Sequence, residues 1–155
     1  MAAIHPRELR QRIADAVLEQ LGGGARNWVQ SAYGYYASAP TDSSSHVARS
    51  FRVGVLASVA DDPTGRQRAS VGVMCTTTVG VRWSAQIPTN DPHGGIDDAL
   101  DDEVDLVDAV LGMRRLPGLG ALRLDAIDRT TDDDGTTFEG ELTFLVRHFY
   151  PRRAR

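Results

Sequence analysis

Between Val71 and Ile87 an apolar side chain falls on nearly every second position, through Val73, Cys75, Val79, Val81, Trp83 and Ala85. Period two is the repeat of a half-buried β-strand, whose successive side chains leave opposite faces. At a rise of about 3.3 Å per residue, a ribbon of this length reaches ~56 Å. Strands usually hold about 3–10 residues, so a strand this long constrains the whole architecture around it. Gly72 and Gly80 are the natural places for a bulge. The ribbon carries no acid, no histidine and no nucleophile arrangement. Its second face (Gly72, Met74, Thr76, Thr78, Gly80) is small and mildly polar, suited to solvent or to another chain.

The segments around the ribbon supply its partners. "FRVGVLASV" alternates with Phe51, Val53, Val55, Ala57 and Val59 on one face, and "ADDPTGRQR" turns the chain into the ribbon. This predicts a β-hairpin with unequal arms. "RLPGLGALRLDAID" and "TTFEGELTFLVRHFYP" meet at Asp134-Gly135 as a second hairpin. "HPRELRQRIADAVLEQLGGG" predicts a helix, with Pro6 in the first turn, a stripe of Leu9, Ile13, Ala16, Val17 and Leu21, and Gly22 as its stop. "IDDALDDEVDLVDAVLG" predicts another, with Ile96, Leu100, Val104, Val107 and Leu111 as its stripe. The expected class is α+β: a twisted, mainly antiparallel sheet of two β-hairpins, flanked by two amphipathic helices, with a long protruding hairpin. Residues 1–155 form a single domain: helix 6–21, aromatic and polar linker 25–50, hairpin 51–87, acidic helix 96–111, C-terminal hairpin 121–150 and basic tail 151–155. In the linker, Trp28, Tyr33, Tyr35 and Tyr36 are expected on a short strand or edge segment whose rings cover the core.

Charge narrows the function. All 17 basic residues are arginine, and the net charge is −4. Bulk nucleic-acid binding needs clustered basic residues, and only "PRRAR" at the end of the chain is basic enough to notice. No apolar run is long enough for a membrane span, and "MAAIHPRELRQ" lacks the order of a signal peptide. A cytosolic origin is expected. Cys75 is the single cysteine and reads as a small buried hydrophobe.

Catalytic patterns are weak. His5, His46, His93 and His148 show no ligand spacing. Cys75 with His148 fails as a nucleophile pair, because a thiol mid-strand on an apolar face has no electropositive neighbour. Thr130, Asp132, Asp134, Gly135 and Glu141 fall on the spacing of a calcium loop, but the flanks alternate like strands where that motif needs helices. Seven acids lie between Asp97 and Asp108, and solvated charge on a helix surface is their ordinary reading. No metal, no cofactor and no enzymatic activity are expected.

The order of elements, carried by "SFRVGVLASV", "GRQRASVGVMCTTTVGVRW", "DDALDDEVDLVDAVL" and "GELTFLVRHFYPR", resembles the tail terminator (tail-completion) proteins of long-tailed bacteriophages and gene transfer agents. The likeness runs from the first helix to Tyr150. The stretch from Trp28 to Ser50 lies outside it. The resemblance implies a structural virion protein, not an enzyme. Six copies would form a ring that caps the head-proximal end of the tail tube and offers a face to the head connector. Its partners would be further copies of itself, the major tail-tube protein and the connector or adaptor proteins. Genome DNA would pass through without sequence-specific binding, and the virion would be assembled in the host cytoplasm.

Under that resemblance, Arg66, Gln67, Arg68, Met74, Thr76 and Thr78 are the expected inter-subunit surface. Asp97, Asp98, Asp101, Asp102 and Asp105 are the expected acidic surface or lumen. Trp28, Tyr35, Tyr36, Arg152 and Arg153 are the expected contacts to tail or connector. Three other readings stay open: another ring protein of the neck, a cytosolic module that adds a peptide strand to its sheet edge, and a small hydrolase using Asp61 or Asp97.

Overall fold

The long strand is held because it has a partner along each side. A computed structural model describes residues 3–23, 27–31, 34–35, 49–61, 72–115, 117–131 and 135–151. In it, α1 spans Pro6–Leu21, β1 Val29–Gln30, β2 Arg49–Ala60, β3 Gly72–Gln86, α2 Pro92–Leu111, β4 Leu119–Thr131 and β5 Thr137–Pro151, with a 3-10 turn at Gly112–Arg115. The sheet order is β1-β2-β3-β5-β4. β3 pairs antiparallel with β5 over its whole length, from Gly72 opposite Pro151 to Gln86 opposite Thr137. β2 covers its other side from Arg49 opposite Ala85 to Ala60 opposite Cys75. β1 is short and runs parallel to β2. The class is α+β, as expected: among the described residues, two α-helices and one five-stranded mixed sheet.

Alternation decides which face is buried. Phe51, Val53, Val79, Val81, Trp83, Ala85, Phe138, Leu142, Phe144 and Val146 share one face and form the core with both helices. α1 lies over β2, α2 over β4 and β5, and the helices pack on each other. Each large side chain fully removed from water here contributes about 1.5–3 kcal/mol. Trp83 anchors the cluster, edge-on to Trp28 at 5.9 Å and tilted against Phe138 at 5.4 Å. Gly140 faces Trp83 across the ladder, and a Cβ there would run into the indole.

Three expectations about these elements change. β3 has no bulge. The bulge is in β2, where Leu56 is the extra residue between Val55 (opposite Val79) and Ala57 (opposite Thr78). An inserted residue flips everything after it, so Ala57 and Val59 leave the face that holds Phe51 and Val53. Val59 ends 67% exposed. The arms are also nearly equal, twelve residues in β2 against fifteen in β3.

Helix α2 starts earlier than Ile96. The Asp91 side chain accepts a hydrogen bond from the Gly94 N–H at 3.1 Å, with Pro92 in the first turn. An acidic N-cap followed by proline is a strong start, and it draws "PHGG" into the helix. The buried stripe of α2 is likewise rotated: Gly95, Ala99, Asp102, Glu103, Leu106, Ala109 and Val110 face inward, and Val104 is exposed. Helix α1 matches its expected span. His5 accepts from the Arg7 N–H, and Leu9, Ile13, Ala14 and Val17 are its fully buried side chains.

Candidate functional site

The sheet has one face under helices and one face that no described helix covers. On the open face, among the described residues, the strands line up in short cross-strand rows. Arg52, Arg82, Glu141 and Asp128 form one row, Gly54, Gly80, Thr143 and Ala126 the next, and Met74 stands opposite Phe149 farther along. Two arginines directly opposite each other repel. The structure relieves this with backbone acceptors: Arg52 donates to the Gly34 carbonyl at 3.3 Å and Arg82 to the Tyr35 carbonyl at 3.0 Å. Burial, and then the charge of Arg82, push the Arg52 guanidinium below its ordinary pKa. A shallow cavity of about 140 Å³ opens between these arginines and Asp128, Thr130, Glu139 and Glu141.

The glycine row is a notch cut for one ring. Tyr35 lies across paired Gly54 and Gly80, and a Cβ on either glycine would collide with it. Arg82 sits over the same ring, 5.6 Å from its centroid, a cation–π distance. Gly80 is therefore a ring seat and not a bulge.

The expected interface residues Met74, Thr76 and Thr78 do stand on the open face, each half-buried. Thr76 donates to Asp61 at 3.1 Å, and Asp61 also takes Arg147 at 2.7 Å. Arg66, Gln67 and Arg68 lie outside the described residues, as do Tyr33, Tyr36, His46, Arg152 and Arg153. Trp28 and Tyr35 are corrected: Trp28 is in the core at 1% exposure and Tyr35 is seated on the sheet at 9%. Neither offers its ring to a tail or connector in this conformation.

The acidic helix also divides. Asp97, Asp98 and Asp101 are exposed and Asp105 is half-buried. Asp102 is fully buried and is no part of an acidic surface. Its carboxylate accepts from Arg49 at 2.5 Å. Beside it, buried Glu103 takes a two-pronged contact from Arg129, at 2.6 Å to Nη2 and 2.9 Å to Nε. That bond raises the Arg129 pKa. Buried carboxylates need such partners, and here they come from β2 on one side and β4 on the other.

Near the start of α1, the helix-side face turns polar. His148 stands opposite Cys75, and Thr77 opposite Ser58. The Thr77 hydroxyl is 2.6 Å from His148 Nε2 and 2.8 Å from the Ser58 hydroxyl, and Cys75 Sγ is 3.6 Å from the same imidazole nitrogen. The β3–β5 ladder thus brings Cys75 and His148 into contact. Their chemistry is another matter. Burial lowers the His148 pKa and raises that of Cys75, so both neutral forms are favoured over thiolate and imidazolium. The closer partner of the shared nitrogen is Thr77. The cluster works as a hydrogen-bond network for a buried imidazole. Among the described residues no group of three or more His, Cys, Asp or Glu side chains could hold a metal ion, and no helix is long and apolar enough to cross a membrane. The calcium-loop spacing at Thr130–Glu141 lies between two strands, β4 and β5.

Compared with known proteins, the chain matches no family model. No curated protein matches it either.

Proposed function

We propose that this chain is a structural virion protein of the tail terminator kind, forming a ring that caps the head-proximal end of a tail tube and joins it to the head connector. The observation that carries the reading is the arrangement of the sheet. Two helices cover one face, while the other keeps a half-buried mixture of Met74, Thr76, Thr78, Leu145 and Phe149 that no described helix covers. Half-apolar, threonine-rich surfaces of this kind suit contact with another subunit. The described side chains also offer no activated nucleophile: the one thiol–imidazole contact is buried and favours neutral partners.

In this reading β2 and β3 are the arms of a protruding hairpin, and Arg66, Gln67 and Arg68, in the sequence that joins them, take part in contact between subunits. The helices are amphipathic, and the exposed carboxylates Asp97, Asp98 and Asp101 meet a neighbour's arginines or line the lumen. Complementary charge of this sort sets register and partner choice more than affinity. Partners are further copies, the tail-tube protein and the connector.

The test is assembly. The cognate tail-tube protein is polymerised with and without the purified chain and imaged by electron microscopy. A ring at one tube end, with growth halted there, is the expected result. Tubes that grow unchanged at every ratio of chain to tube protein overturn the reading.

A further inference from the structure

The two long edges of this sheet are built differently. β4, the edge on one side, carries Arg123, Asp125, Asp128 and Arg129, and its ladder to β5 shifts register twice, between Leu119 and Leu122 and between Leu124 and Ala126. Charges and bulges are the usual guards of a free edge. On the other side, among the described residues, β1 covers β2 only at Ser50 and Phe51. From Val53 to Ala60 the sequence is VGVLASVA, with no charge and no proline, and Ala57 to Ala60 are exposed.

The direction of the main-chain groups along β2 follows from two hydrogen bonds. The Phe51 carbonyl accepts from Ser31 on the outer side, and the Asp61 N–H donates inward to the Met74 carbonyl. Antiparallel strands alternate inward and outward residues. Val53 and Val55 before the bulge, and Ser58 and Ala60 after it, therefore point N–H and C=O groups outward. Beneath the same stretch lies an apolar groove of about 600 Å³, lined by Pro6, Val55, Leu56, Val73, Cys75 and Tyr150 among others. Edge groups that no described strand pairs, and an apolar groove at the same place, are the two halves of a strand-addition site: backbone gives affinity, alternate side chains give specificity.

We propose that the occupant is β2 of a second copy, added antiparallel across a two-fold axis to make one continuous sheet. An uncharged edge meets itself without like-charge repulsion, which the edge of β4 does not offer. A two-fold pair presents the same patch twice, so it covers both open edges and joins both grooves at once. Of the long edges it leaves outside the two guarded β4 edges, and growth stops at two. The inference does not rest on the terminator reading. A ring needs two different surfaces, and the two-fold pair describes the protein before it meets any tube.

The test is the mass of the full chain by sedimentation and light scattering over a concentration series. The variants are Val59→Lys and Ala60→Pro, with Val104→Lys as the control on exposed helix surface. Proline at 60 removes one outward N–H and no bond to β3, which an edge strand tolerates. The wild type and V104K are expected as concentration-dependent dimers. V59K and A60P are expected to dissociate at least about tenfold more readily, each such factor being ~1.4 kcal/mol, with circular dichroism unchanged. Amide exchange at Val55, Ser58 and Ala60 should be slow in the dimer and fast in V59K. A wild type that stays monomeric at every concentration overturns the proposal. So does an oligomer that both β2 substitutions leave intact. A monomeric V59K that still halts tube growth would leave the terminator reading standing.

Discussion

The two faces of the sheet solve opposite problems. Under the helices, the surroundings are apolar and the awkward guests are polar: Asp102, Glu103 and His148, all buried. Each is given a partner from another element, Arg49, Arg129 and Thr77. On the open face, beside Arg52 and Arg82, the surroundings are polar and the awkward guest is a ring. Tyr35 is given a seat by removing side chains, at Gly54 and Gly80. One face accommodates by adding donors, the other by subtracting carbons. A guest whose partner is taken away should therefore cost much on the first face. On the second, the cost should depend on whether the ring is still there.

The sharpest way to break this contrast is Asp102→Ala. It leaves the Arg49 guanidinium, partly buried, without the carboxylate it donates to. Losing one member of a buried pair costs about 3–5 kcal/mol, and the 21% exposure of Arg49 puts the expected loss near the lower end. Urea unfolding reads it. A loss under about 1 kcal/mol would mean that the pair behaves like a surface ion pair.

Next in size is a double-mutant cycle on the open face. Gly80→Ala drives a methyl into Tyr35, and overpacking costs about 1–3 kcal/mol. In a Tyr35→Ala background the same change should cost almost nothing or stabilise, since alanine restricts the unfolded chain more than glycine does. Equal costs in both backgrounds would show that the notch does not exist for the ring.

The smallest expected effect is titration of His148. Burial holds its folded pKa below the ordinary histidine value of about 6.5. Between the two values the unfolded chain binds more protons than the folded one, so stability rises with pH there. It is complete above about 6.5 and is lost as pH falls toward the folded value, by at most ~1.4 kcal/mol per unit. His148→Gln should flatten that part of the curve between about pH 7 and 5. An unchanged slope would assign it to other groups.

What could be read in the chain and what could not follow one physical line. Local patterns were legible: α1 with its proline start and glycine stop, the alternation of β3 and β5, and the α+β class. The start of α2 was legible in principle, since Asp91-Pro92 is an N-cap followed by a first-turn proline. Contacts between distant positions were not. Asp102 and Glu103 look like surface acids because Arg49 and Arg129 stand 53 and 26 residues away. Gly54 and Gly80 become one notch only once β2 and β3 are in register. The bulge at Leu56 has no marker of its own, for no glycine or proline stands there, and it alone moved Val59 from expected core to exposed edge. Cys75 and His148, 73 residues apart in the chain, lie 3.6 Å from each other because β5 returns alongside β3.

Asp102 and Glu103 are neighbours in the chain, yet one is tied to the first residue of β2 and the other to a residue near the end of β4. Those strands stand on opposite sides of the β3–β5 pair. Helix α2 is thus a crossbeam fastened to both flanks of the sheet at one end. A force that peels β4 away must first break a two-pronged carboxylate contact to the beam, and one on β2 must break the other. Load applied to either flank passes through the helix to its opposite, so this end of the sheet resists being unzipped strand by strand.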